Sequence, residues 1–326
     1  MLLARMAESI YWSGRYLERA ESTARIVQVH TDAHMDLPVG EDVGWEPLLA
    51  IAGTAGDGDG AHGREGDGSG AVVEHDAVHY VLCAPENPSS VLASLEAARA
   101  NLRTARPAVP REVWEACHGL WLASSEHRSE TSTRDGRVQW LRRVVAGCQG
   151  IAGILAGTMS RDEAQSFFAI GRSLERAELT TRVLDARSAN LQPHRGDDPY
   201  EAVRWMAVLR SLAAYQPFRR AMPARPQGGA TLRFLLQDDR FPRAVSACLS
   251  DVRSQLKQLP GTEEPADACT TAALLVSAAP VSRLALRGLD EFLERVRLAV
   301  VEVHLAIEST YFRPPLARWP AAAPAQ

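Results

Sequence analysis

From Met1 to about Asp36 the apolar positions recur every three or four residues. Ile10, Tyr16, Leu17, Ala20, Ala24 and Val27 fall on one side of a helical wheel, and Leu37-Pro38-Val39-Gly40 supplies the turn that ends the helix. The same pattern returns in Phe167, Ile170, Leu174, Ala177 and Leu184, in a helix opened by Ser160-Arg161-Asp162-Glu163, which resembles a capping box. Further helical segments are predicted around Trp45, from Asn87-Pro88-Ser89-Ser90 to about Arg106, from Arg111 to about Ser124, and from Val138 to Gly157. The rest of the chain adds segments around Trp205, from Val245 through Leu256, over Ala268–Ser277, and from about Val281 to Tyr311. No stretch alternates like a strand, so the fold class is all-α, a bundle of long antiparallel helices.

One segment occurs twice. Gly14-Arg15-Tyr16-Leu17-Glu18-Arg19-Ala20-Glu21-Ser22-Thr23-Ala24-Arg25 is matched by Gly171-Arg172-Ser173-Leu174-Glu175-Arg176-Ala177-Glu178-Leu179-Thr180-Thr181-Arg182, with nine of twelve positions identical. Pro88/Pro242, Arg99/Arg253 and Arg103/Lys257 correspond as well, and Leu141, Val144, Ile151 and Leu155 match Leu293, Val296, Val303 and Ile307. The chain is read as one domain of two pseudo-symmetric tandem repeats, about 1–157 and 158–312.

Opposite the apolar side, Gly14, Arg15, Glu21 and Arg25 cluster around Glu18, and the second copy repeats the set. Glutamates three apart repel one another, and the flanking arginines offset that repulsion. A face that only has to be wet can carry charges in any order. Keeping Gly, Arg, Glu, Arg, Glu and Arg in both copies points to a shared, partly buried polar site. The candidate ligand- or partner-binding residues are therefore Gly14, Arg15, Glu18, Arg19, Glu21, Arg25, Gly171, Arg172, Glu175, Arg176, Glu178 and Arg182. A buried salt-bridge network that fixes how the halves pack accounts for the same pattern.

Residues Gly53 to Asp76 carry almost no large apolar side chain and are expected to form a mobile loop, and a Pro/Ala tail covers 313–326. The loop lacks a GK[ST] sequence and is rich in aspartate, which argues against phosphate binding there. Gly147, Gly150, Gly153 and Gly157 suggest a smooth helix side open to close approach by another helix. Net charge is −4 and the pI about 6.2, so there is no electrostatic case for nucleic acid or an anionic membrane. No uncharged run makes a convincing membrane span, early charges at Arg5 and Glu8 argue against a signal peptide, and five scattered cysteines argue against a disulfide framework. A cytoplasmic protein is expected. His30 and His34 are spaced for a metal pair but lack a third ligand, so they are read as a solvated helix end, and no metal or other cofactor is expected.

Met6 to Glu21, Asn87-Pro88-Ser89-Ser90, Met159 to Glu178 and Phe241-Pro242-Arg243 together resemble the alpha-E family, a bacterial all-helical family named for its Glu-Arg signature. The resemblance implies a place beside ATP-grasp-type ligases and transglutaminase-like proteins, in a system that modifies peptides or forms amide bonds. On that view the chain is an accessory or co-catalytic component, and the duplicated faces bind a peptide-like or zwitterionic ligand, or the ligase itself. An enzyme in its own right would use Glu18 or Glu175 as a base with its pKa raised by the neighbouring glutamate, although adjacent arginines act against this. A two-metal centre of Glu-x-x-Glu sets meets the same objection, since the interleaved arginines would repel a cation. A purely structural helical scaffold is the remaining reading.

Overall fold

The structure, a computed structural model, describes residues 2–36, 45–51, 70–191, 201–222 and 225–313. In chain order the α-helices are α1 (Ala4–Asp36), α2 (Glu46–Ile51), α3 (Gly70–Leu82), α4 (Val91–Thr104), α5 (Arg111–Glu126), α6 (Arg134–Thr158) and α7 (Glu163–Leu191). They continue as α8 (Glu201–Ser211), α9 (Tyr215–Ala221), α10 (Gly228–Gln237), α11 (Val245–Leu256), α12 (Glu263–Ser277), α13 (Val281–Leu284) and α14 (Leu289–Ile307), followed by a π-helical turn, Glu308–Phe312. No strand occurs among the described residues, so the fold is all-α.

The two long helices α1 and α7 lie against each other at the centre. On one side α4 and α6 pack on α1 and are joined through α5; on the other, α11 and α14 pack on α7 and are joined through α12. The short α2 leans on α7, whereas α8 touches both α1 and α7. Because neighbours cover α1 and α7 on both sides, these helices are buried nearly all round. Ile10, Ala20, Ala24 and Val27 are sealed in the core, as are Ile170, Leu174, Ala177 and Leu184. The core is continuous from Trp140 beneath α5 to Trp205 beside α10.

Local chemistry sets several helix starts. Ser90 caps α4 by accepting from the Ala93 amide at 3.2 Å. At α7 the cap is Asp162, whose Oδ1 accepts from Ala164 and Gln165, while Glu163 accepts instead from the amide of Leu2 at 2.6 Å. The Ser160 capping box is therefore replaced by an aspartate cap, and Glu163 ties the second long helix to the start of the first.

Four other expectations change. Of the stretch read as a mobile loop, residues 53–69 lie outside the described residues, and Gly70 to Asp76 form the first half of α3. Val78, Val81 and Leu82 bury one face of that helix, and the composition of the preceding residues hid its start. The final long helix is broken at Gly288, whose φ of 72° is left-handed and separates α13 from α14. His30 is not a solvated helix end: it is fully buried and meets Trp45 edge to face at a 4.5 Å centroid separation. The His34 side chain, like the 314–326 part of the tail, lies outside the described residues.

The glycine stripe of α6 is the fourth. Gly147 abuts the Leu120 side chain of α5, but among the described residues nothing comes within 4 Å of a Cβ placed on Gly150, Gly153 or Gly157. These exposed glycines only cost helix propensity. Alanine at Gly150 and Gly153 should stabilise the fold by about 0.5–1 kcal/mol each, measured by urea denaturation, and a loss of stability would mean that this side is covered.

Candidate functional site

At the crossing of α1 and α7 the two copies of the repeated segment meet face to face. Gly14 and Gly171 make the approach possible. A Cβ on Gly14 would fall closer than 3.0 Å to the Phe168 carbonyl oxygen, and one on Gly171 closer than 3.0 Å to that of Tyr11, so each helix rests its backbone on the other's glycine.

The charged side chains that follow these glycines are thereby enclosed. Arg15, Glu18, Glu21, Glu175 and Glu178 are all under 10% exposed, which excludes a solvated surface. The pairing runs across the crossing. Arg15 donates to both Glu175 and Glu178, and Arg19 grips Glu175 through Nε at 2.6 Å and Nη2 at 3.0 Å. In the opposite direction Arg176 Nε donates to Glu18 at 2.8 Å. Arg25 and Arg182 each pair one turn back along their own helix, to Glu21 at 2.8 Å and Glu178 at 2.5 Å. The structure thus brings all twelve candidate residues to one place.

Four residues that sequence reasoning missed complete it, the first being Gln149 of α6, whose Nε2 donates to Glu21 at 3.3 Å. Arg243, just before α11, donates to Glu18, to Ser22 Oγ at 2.8 Å and to Glu21 at 3.0 Å. Its backbone is fixed by Thr180, whose hydroxyl donates to the Arg243 carbonyl at 2.8 Å. The only signal was its place in Phe241-Pro242-Arg243, because the corresponding residue of the first half is Ser89 and carries no charge. Tyr11 accepts from Arg15 Nη1 at 3.1 Å and is 2.8 Å from His304 Nδ1. Whether the phenol or the imidazole donates is set by the imidazole tautomer, since the phenol oxygen can accept from Arg15 and His304 together; burial and then Arg15 lower the His304 pKa.

Arg243 breaks the equivalence of the two copies. Arg15 reaches two glutamates of the facing helix, and by the duplication Arg172 should reach Glu18 and Glu21. Arg243 and Arg176 occupy those carboxylates instead. Arg172 makes no hydrogen bond or ion pair among the described residues, and its Nε is shut off from solvent without an acceptor. Burial lowers its pKa, and Arg176 and Arg243 lower it further against the pull of Glu18 and Glu21.

The carboxylates behave in the reverse way. Burial alone would raise the Glu175 pKa, but Arg15 and Arg19 outweigh it and hold the group at about 2. Glu18 is likewise lowered, by Arg243, Arg176 and Arg172 against the effect of burial. The raised pKa that a general base would need is therefore reversed: both groups are held as ionised acceptors. Among the described residues no cluster of three His, Cys, Asp or Glu side chains is arranged for a metal, and no helix is long and apolar enough to cross a membrane.

Comparison with known proteins agrees with a helical module of this kind. The chain is similar to the uncharacterised proteins Mb2597 of Mycobacterium bovis and Rv2567 of Mycobacterium tuberculosis, each 22% identical over 270 residues. Each alignment covers 79% of this chain but only 30% of the relative, so the chain spans less than a third of the curated proteins it matches. No solved structure matches it significantly. The model of the Alpha-E family, described as a predicted alpha-helical domain with a conserved ER motif, matches residues 2–312, and the chain belongs to that family.

Proposed function

We propose that the chain is a cytoplasmic binding module in an ATP-grasp-linked system that modifies peptides or forms amide bonds, and that its duplicated Arg/Glu faces hold a carboxylate of a peptide-like or zwitterionic ligand. The observation that carries this reading is the charge imbalance of the crossing. Seven arginines (Arg15, Arg19, Arg25, Arg172, Arg176, Arg182 and Arg243) face four glutamates (Glu18, Glu21, Glu175 and Glu178). Asp251 also acts on Arg172 and Arg176 but makes no ion pair with either, and counting it still leaves positive charge in excess. A guanidinium without an acceptor, crowded by two others, is suited to a bidentate carboxylate.

Further support comes from the packing order, which recurs around α1 and α7 as expected for tandem repeats. The larger relatives are consistent with a module that works beside other parts, here a ligase and a transglutaminase-like protein. Five free cysteines suit a reducing compartment.

The test has two arms. Tagged wild-type protein in native extract should retain an ATP-grasp-type ligase, identified by mass spectrometry. In calorimetry, alanyl-glutamate should bind wild type at least about tenfold tighter than Arg172→Gln, roughly 1.4 kcal/mol, while its diamide should bind neither. Equal binding of acid and diamide removes the carboxylate site, and the absence of a ligase removes the association.

A further inference from the structure

A second site lies away from the crossing. A cavity of about 920 Å³ opens between the end of α1, α3, the start of α4, the segment 128–132 and the start of α6. Its size is that of a small-molecule pocket. Arg128, Arg134 and Arg137 line it together with His75 and His79, and Glu74 is the only carboxylate among the described lining residues.

Arg137 is the buried element of this wall. Its side chain is 7% exposed, its Nη2 donates to Glu74 at 2.7 Å, and its Nε is enclosed without an acceptor. Arg134 is held in place by donating to the Thr31 carbonyl at 3.2 Å, and Arg128 is exposed at the rim with no ion pair among the described residues. Val78, Pro85 and Leu92 supply an apolar wall.

Three guanidinium groups against one glutamate exceed what a single carboxylate would need. They suit a dianion with three acceptor oxygens, and the apolar wall calls for carbon attached to it. We propose that this cavity binds an organic phosphate, with its phosphoryl group held by Arg128, Arg134 and Arg137 and its carbon part against Val78, Pro85 and Leu92. This site does not depend on the reading of the crossing, which shares none of its residues.

Calorimetry on the full chain at fixed ionic strength, with phenyl phosphate, inorganic phosphate and benzoate as probes, tests it. Phenyl phosphate should bind at least about tenfold tighter than either simpler probe, and Arg128→Gln/Arg134→Gln should weaken it by at least about tenfold. Both substituted residues are exposed, so the fold should persist, as checked by circular dichroism. In wild type, phenyl phosphate should also protect Arg128 and Arg134 from phenylglyoxal, read by peptide mass spectrometry. Benzoate binding as well as phenyl phosphate, an unaffected variant, or no binding and no protection at millimolar probe would each overturn the assignment.

Discussion

Alanine at Gly171 should lower the stability of the chain by about 3 kcal/mol or more, beyond the ordinary range for one extra methyl in a core. The new Cβ would meet a backbone carbonyl, that of Tyr11, and not the tip of a side chain that could rotate away. Relief requires α1 and α7 to separate, and separation stretches the ion pairs of Arg15, Arg19 and Arg176 together. Gly14→Ala should behave alike through Phe168, and the double variant should fail to fold. Urea denaturation followed by circular dichroism reads the effect. A Gly171→Ala variant within about 0.5 kcal/mol of wild type, the range of an innocuous surface change, would show that the crossing is looser than the structure has it.

Removing the charge of Glu175 should cost about as much. Glu175→Gln leaves Arg15 and Arg19 buried against a neutral acceptor, and breaking a buried pair from one side typically costs about 3–5 kcal/mol. The pH dependence gives the sign independently. The folded pKa of Glu175 is about 2, below the 4.5 of the free carboxyl, so its contribution is fully present above pH 4.5 and is lost as pH falls towards 2. That difference corresponds to roughly 3 kcal/mol. Between pH 7 and pH 3 wild type should therefore lose more stability than Glu175→Gln, and the two denaturation curves should converge in acid. Parallel loss in both proteins would assign the acid sensitivity to other carboxylates.

The twelve residues of the crossing were legible because they occur twice: a glutamate order kept in both copies is hard to explain on a wet surface. Arg243 was not, since the feature that makes it matter is the absence of a charge at Ser89. Sequence periodicity placed α1 and α7 well because their apolar sides are long and regular, whereas only the duplication pointed to polar sides that are partly buried, and it did not show how nearly complete that burial is. That follows from α11 delivering Arg243 to Glu18 and Glu21, an encounter between distant residues. The α6 glycines failed for the opposite reason, since spacing reveals which residues share a side but not what lies opposite. The helical start at Gly70 was masked by the composition before it, and the cavity beside α3 is made by segments that no single motif links.

The distance along the chain between the partners at the crossing has a consequence for biosynthesis. Glu18 and Glu21 wait for Arg176 and Arg243, and Arg15 waits for Glu175 and Glu178. At about 5–20 residues per second, α1 leaves the ribosome some ten seconds or more before Arg243 does. Over that interval its charged side must stay hydrated while its apolar side already has α4 and α6 to pack on. The first half of the nascent chain can thus assemble around one side of α1, and the arrival of the second half converts an exposed acidic and basic strip into the interior of the finished molecule.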